Sequence, residues 1–223
     1  MSVTTDLDTR PFSATLRAST LQVHEKANYS TYMRALLGGE LSQDGYTQLA
    51  VQYYFVYSAI EAASDRMAGD PVGGEFVFDA LRRLPSLERD LAHLVGPDWR
   101  STITPLASTR AYVARIEEAS AWAGGYVAHH YTRYLGDIAG GQAIRRLLEK
   151  TYDVADAGTL FYHFEGIGSA PKFRDVYRAK LDNAPWTDAE RARVIDETLV
   201  AFECNVAVFD ELAQRLTEFR TAE

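Results

Sequence analysis

Cysteine is almost absent: Cys204 stands alone among 223 residues. One thiol excludes an internal disulfide and any zinc site built on several cysteines, and it suits a reducing cytoplasm. Long apolar runs are missing as well. No stretch approaches the roughly 18 residues that a membrane-spanning helix needs, and Met1 to Pro11 are polar rather than signal-like. Neither an anchor nor a targeting segment is expected. Positive charge is in short supply, with 23 Lys and Arg against 31 Asp and Glu and a formal charge of -8. Without a basic face, counterion release cannot drive non-specific nucleic-acid binding. An anionic ligand must therefore meet a local cluster of cations. Also absent are Gly-x-Ser-x-Gly elbows, phosphate-binding glycine loops and dinucleotide fingerprints. So are the Glu-x-x-His pairs of a carboxylate-bridged di-iron site.

What the chain does have is a helical period almost throughout, in a composition that is 47% apolar. Leu16, Thr20, Val23 and Ala27 predict one helix over Ser13 to Asn28, and a short second follows at Tyr32 to Leu37. Ser42 is placed to cap a third, with Tyr46, Leu49, Tyr53, Val56, Tyr57 and Ile60 inward. Ser86 precedes a fourth with Leu87, Leu91 and Leu94, and a fifth starts near Pro105 with Tyr112 and Ile116. A sixth runs from Trp122 to Tyr152, and Pro171 opens a seventh. Thr187 and Glu190 form a capping box before a last helix with Leu199, Phe202, Val206, Phe209, Leu212 and Leu216 inward. The expectation is one all-α domain over residues 13–219, with flexible ends at 1–12 and 220–223.

Three features break local rules. Gly136, Gly140 and Gly141 lie inside the sixth helix, where each glycine is unfavourable by about 1 kcal/mol relative to alanine. Close helix packing or a kink accounts for such a trio, and so does a backbone brought against a flat ligand. Asp137 sits among them. His24 borders the apolar stripe of the first helix, a place where a lone histidine is more often a hydrogen-bonded core residue than a metal ligand. Arg17 is about two turns earlier, and Lys172, Arg174 and Arg178 form a second basic group. Taken together, a histidine, a bare helix backbone and two basic groups describe a pocket for a planar metal macrocycle with carboxylate tails, and haem matches it. His129 and His130 point about 100° apart and cannot share a metal face-on. Asp90 with His93 is the nearest thing to a carboxylate–histidine metal motif, and His163 reads as a packing or hydrogen-bonding residue.

The run Tyr131-Thr132-Arg133-Tyr134-Leu135-Gly136-Asp137-Ile138-Ala139-Gly140-Gly141-Gln142 resembles the distal-helix signature of the heme oxygenase family. His24-Glu25-Lys26-Ala27 resembles its proximal-ligand segment, Phe161 to Gly168 a further segment, and Phe202, Asn205 and Phe209 its last helix. The likeness runs from about Leu16 to Leu212. It implies a multi-helical bundle with haem b sandwiched between the first, proximal helix and a glycine-kinked distal helix. His24 would be the axial iron ligand. Gly136, Gly140 and Gly141 would form the distal wall, with Asp137 ordering water and Arg133, Tyr131 and Tyr57 supporting it. Arg17, Lys172, Arg174 and Arg178 would meet the propionates, with Tyr131 near the haem edge. Phe202 and Phe209 would line the pocket, and Asn205 would support it by hydrogen bonding.

The implied reaction is oxidative opening of haem to biliverdin, carbon monoxide and ferrous iron, at the alpha-meso carbon. It consumes O2 and electrons from a separate donor, a ferredoxin or flavoprotein reductase. Haem is thus both cofactor and substrate, in a monomer that needs no membrane and no nucleic acid. Arg145, Arg146 and Lys150 are candidates to dock the donor, although charge complementarity at a helix end is the better account of them. One position departs from the family pattern: Asn28 stands four residues after His24, where the family often has glutamate. An amide can accept from the imidazole N–H but brings no negative charge, so a more neutral proximal imidazole is expected. A haem carrier that leaves its ligand intact would need His24 and the cations but not Asp137. A thiamin-degrading hydrolase on a similar fold would want a nucleophilic cysteine, and Cys204 is poorly placed for that.

Overall fold

A computed structural model describes residues 10–152, 154 and 156–220, without the side chains of Gln142 and Asp156. Among these the regular structure is helical: α1 (Phe12–Ser19), α2 (Leu21–Asn28), α3 (Thr31–Leu37), α4 (Gln43–Met67), α5 (Leu84–Leu94), α6 (Trp99–Thr102), α7 (Ala107–Ala119), α8 (Ala123–His130), α9 (Gly136–Thr151), α10 (Ala170–Asn183), α11 (Asp188–Ala213) and α12 (Leu216–Phe219). The expected tails at 1–9 and 221–223 lie outside the described residues. The folded unit itself reaches Phe12, whose ring packs edge-on against Trp186 at 5.5 Å, and Arg220, which bridges to Leu41.

The central helix is α4, whose Tyr46, Leu49, Tyr53, Val56, Tyr57 and Ile60 are all buried. It packs against α5, α7 and α8, while α11 crosses α8, α7, α2 and α3. That sandwich holds α2 and the α8–α9 run facing one another across a cleft. No helix among the described residues is long and apolar enough to cross a membrane.

Local chemistry explains where the boundaries differ from expectation. The first helix breaks at Thr20, whose hydroxyl donates to the Leu16 carbonyl at 2.9 Å; such back-bonding bends helices. The break separates α2, which carries His24, from α1. The capping box forms: Glu190 accepts from the Thr187 N–H at 2.8 Å and its own N–H donates back to the Thr187 hydroxyl at 3.3 Å. Pro171 sits in the first turn of α10. Ser42, however, makes no side-chain cap for α4, whereas Ser30 caps α3. α5 starts at Leu84, so Ser86 lies inside it. Leu199 is only half-buried, and Leu216 belongs to α12, beyond the end of the long helix.

The predicted sixth helix is divided. Tyr131–Leu135 is a π-helical turn between α8 and α9. One extra residue per turn shifts the face that follows by about 100°. The interruption of the α-helical pattern thus lies just before the glycines, and it offsets the face of Gly136 and Asp137 from that of His129 and His130.

Candidate functional site

The cleft measures about 220 Å³ and is lined by Ser13, Arg17, Thr20, Leu21, His24, Tyr131, Thr132, Leu135, Gly136, Ala139, Arg174, Arg178 and Phe202. One wall is α2, where His24 and Leu21 are exposed, Leu21 by 52%. The Phe202 ring of α11 meets the His24 imidazole edge-on at 5.8 Å and limits its rotation. The amide nitrogen of Asn28 lies 3.3 Å from His24 Nδ1 and donates to it. That polarity is opposite to the one expected from the sequence. A half-turn of the amide exchanges N for O at the same place and restores acceptance from Nδ1–H.

The facing wall comes from the π turn and α9. A Cβ added to Gly136 or Gly140 would meet no atom within 4 Å, so both open onto free space. Gly141 differs from the expected distal strip: it is buried, and a Cβ there would sit 3.0 Å from the Tyr162 ring. Its small size serves packing. Cations gather at one end, with Arg17 from α1 and Arg174 and Arg178 from α10. Lys172 is exposed and does not line the cleft. Phe209 is also outside it, buried in the core and stacked on Tyr32 at 6.4 Å.

Behind the glycines, buried polar groups converge on Asp137, whose side chain is 11% exposed. The Tyr57 hydroxyl of α4 donates to Oδ2, and Arg133 donates to Oδ1 at 3.3 Å. The other end of the Arg133 guanidinium donates to Asn205 Oδ1 of α11 at 2.6 Å, and its plane lies over the Tyr53 ring at 4.3 Å. Asn205 and Tyr57 thus act on Asp137 rather than on the cleft directly. Burial pushes the Asp137 carboxyl well above the ordinary carboxylate range.

A brace invisible in the sequence holds this arrangement. Phe161 packs on Tyr57 at 5.1 Å, and its turn, Leu160–Tyr162, is gripped by two buried charged residues. Asp90 accepts from the N–H groups of Leu160 at 2.9 Å and Phe161 at 2.8 Å. Arg83 donates to the carbonyls of Phe161 at 3.2 Å and His163 at 2.5 Å. Asp90 is therefore a clasp rather than half of a metal motif, and His93 is exposed. Burial pushes Asp90 up to about 7, with its two N–H donors pulling the other way. Between about pH 4 and 7 the native state keeps a proton that the unfolded chain has released, so this group's contribution makes stability fall as pH rises through that window. Asp90→Asn is expected to remove that slope. It should also destabilise by about 1–3 kcal/mol, because its NH2 would face a backbone N–H. Urea unfolding at pH 5 and pH 8 reads both, and equal slopes in the two proteins would reject the assignment.

The remaining histidines lie outside the cleft. His129 pairs with Glu197 at 2.9 Å, His130 hydrogen-bonds Tyr177 at 2.9 Å, and His163 is half-buried. Arg145 is engaged by Glu149 at 2.6 Å, and Lys150 occupies the last turn of α9, as helix-end complementarity expects. A larger cavity, about 530 Å³, lies between Pro71–Phe76 and the far end of α10. Its titratable side chains are the ion-paired Glu75 and Lys180, and it contains none of the residues singled out from the sequence. The smaller cleft is where the chemistry converges.

Comparison with known proteins agrees with this geometry. The family model described as heme oxygenase matches residues 10–211. Heme oxygenase 1 of Bos taurus is 35% identical over 210 residues, 92% of this chain and 73% of that protein. Heme oxygenase 1 of Synechocystis sp. is 35% identical over 202 residues, 90% and 84% of the two chains. Its crystal structure in complex with heme superposes with a TM-score of 0.89 at 33% identity, covering 94% of this chain and 95% of that one. Heme oxygenase from Leptospira interrogans gives 0.86 at 29% identity, covering 91% and 100%. With its signature residues arranged around one cleft and both walls matched over nearly the whole chain, this protein belongs to the heme oxygenase family.

Proposed function

We propose that the protein cleaves haem oxidatively to biliverdin, carbon monoxide and ferrous iron, using O2 and electrons from an external donor. The observation that carries this reading is the pairing of His24 on one wall with open glycine backbone and a buried Asp137 on the other. The residues fit the group. Gly136 lines the cleft and leaves space that a flat ring would fill, and Gly140, one turn on, also has open space beside it. Arg174 Nε is buried without a hydrogen-bond partner at the cation end, as a donor awaiting a carboxylate would be. Haem, when bound, supplies the iron that activates dioxygen and the ring that is opened.

The chain's own residues divide the rest of the work. His24 would hold the iron from the α2 side, and an Asn28 amide turned to present its oxygen would fix the imidazole tautomer by accepting from Nδ1–H. Arg17, Arg174 and Arg178 seat the propionates, and bidentate guanidiniums fix orientation as well as charge. Leu21, Phe202 and Leu135 exclude water from the ring faces. Gly136 and Gly140 leave the ring edge reachable. Asp137, held by Tyr57 and Arg133, has a raised proton affinity, so its carboxyl can keep a proton and pass it toward the open face. Asn205 positions Arg133, and Tyr131 borders the haem edge.

Opening at the alpha-meso carbon belongs to this proposal, as does a ferredoxin or flavoprotein reductase as donor. A monomeric state belongs to this proposal too, and the lone half-buried thiol suits a cytoplasmic setting. The test is a visible spectrum with one equivalent of hemin, followed after a reductant is added in air. The expected course is a histidine-type Soret band that decays into the broad absorption of biliverdin while carbon monoxide is released. A Soret band that persists through reduction by a competent donor would make this a haem carrier.

A further inference from the structure

α10 carries two of the three cleft cations, and Phe173 on Phe78 at 5.1 Å and the Lys180–Glu75 ion pair tie it to the 75–78 segment rather than to the distal wall. Of its 14 residues only Tyr177 and Leu181 are buried. Arg174 lies three residues before Tyr177 and Arg178 directly follows it. The seat of the Tyr177 ring therefore fixes where both guanidiniums enter the cleft. That ring stacks on His130, with centroids 5.7 Å apart and planes 12° apart, and its hydroxyl is 2.9 Å from His130 Nδ1. Phe76 closes on it edge-on at 5.2 Å, and the cleft-lining Tyr131 lies 6.4 Å away.

His130 ends α8, immediately before the π turn that leads to Gly136, and is 1% exposed. Burial pushes its imidazole down to about 3, so it offers a neutral hydrogen-bonding ring rather than a charge. The other end of α10 is tied to α1, where the Ser13 N–H and hydroxyl donate to Asp182 at 2.7 and 3.1 Å. Ser13 is one turn before Arg17. All three cleft cations thus belong to one two-helix unit, and the Tyr177–His130 hydrogen bond joins that unit to the distal wall.

We propose that Tyr177 and His130 are positioning residues for regiochemistry: they register the cation clamp against the distal wall and so select which meso edge of haem faces the open glycines. A disc held by two carboxylates on one rim rotates in its plane when the clamp moves relative to the wall. A rotation brings a different meso carbon to the same place. The proposal rests on the haem-cleaving reading above, but the seating of the ring is measurable without turnover.

Tyr177→Phe keeps the stacked ring and removes the hydroxyl; His130→Leu removes the partner. Haem methyl proton resonances of the ferric cyanide complex report in-plane seating, and chromatography of the biliverdin isomers reports the carbon attacked. Both variants are expected to raise the population of a second seating roughly two- to tenfold, the equilibrium equivalent of one buried hydrogen bond. The minor biliverdin isomer should rise in step. Tyr46→Phe serves as control, since it removes an equally buried hydroxyl that donates to the Gly158 carbonyl at 3.0 Å, far from α10. It should lower stability and leave the seating alone. Should Tyr177→Phe behave like that control, with stability lowered and seating and isomer ratio unchanged, the pair is merely structural and the proposal falls. If His130→Leu does not fold, Tyr177→Phe decides. Unmodified protein that binds hemin without yielding biliverdin would defeat the proposed activity, whereas a seating shift in Tyr177→Phe would still establish the positioning role.

Discussion

Replacing His24 by alanine is expected to abolish the histidine-type signature of the ferric haem complex and to lower biliverdin formation by more than about 100-fold. Removing only the outer partner of a ligating histidine commonly lowers metal affinity or activity 10- to 100-fold, and the ligand itself should exceed that. Haem should nevertheless still associate, because the apolar walls at Leu21, Leu135 and Phe202 and the cations at Arg17, Arg174 and Arg178 remain. The prediction is therefore a dissociation of two readouts: hemin retained, axial signature lost. The histidine is well placed for such a clean result, since it is exposed to the cleft and its removal opens no hole in the core. An unchanged ferric spectrum in the variant would transfer the iron to another ligand, and among the described residues no other histidine lines the cleft.

The parts of this site that were legible in the sequence are those where a residue violates its local surroundings. Three glycines in mid-helix and a histidine at the edge of an apolar stripe needed an explanation beyond helix formation, and the twelve-residue run around Asp137 supplied one by resemblance. Helix period located nearly every long element, because period 3.6 burial is a property of neighbouring residues. What could not be read depends on residues far apart in the chain. Gly141 has the same sequence signal as Gly140, and only the placement of Tyr162 shows that one packs against the protein while the other has open space beside it. Lys172 shares its helix with Arg174 and Arg178, but the seat of α10 turns it outward. Asp90 drew notice only for its spacing to His93, and Arg83 carries no local anomaly at all. Their partners are backbone groups some 70 to 80 positions away, and no spacing rule anticipates a side chain that satisfies someone else's turn. The π turn is similar: its extra residue is absorbed where the tertiary packing of α8 and α9 demands two different faces, a choice made by neighbours rather than by Tyr131–Leu135.

Asp137→Ala is the second substitution with a large expected effect: biliverdin yield should fall roughly 100-fold, within the range removed with a general acid or base, while hemin still binds. Binding survives because the carboxyl does not line the cleft; it works through groups held behind the glycines. Alanine alone does not identify the role, however. It leaves the Tyr57 hydroxyl without its acceptor and Arg133, a guanidinium 4% exposed, without its carboxylate. Leaving buried donors unsatisfied in that way destabilises by about 1–3 kcal/mol, and a displaced distal helix would then account for part of the lost yield. Asp137→Asn separates the two contributions. Its amide oxygen can still accept from Tyr57 or Arg133, and its volume is unchanged, but it cannot take up or release a proton. If Asp137 acts by proton affinity, the asparagine variant regains stability toward the unmodified protein and stays as inactive as alanine. If it acts only by holding Tyr57 and Arg133 in place, asparagine restores biliverdin along with stability, and the proton role is rejected. The buried setting that raises the carboxyl's affinity for a proton favours the first outcome, since the same burial that makes the charged form unfavourable keeps a proton available beside the open face.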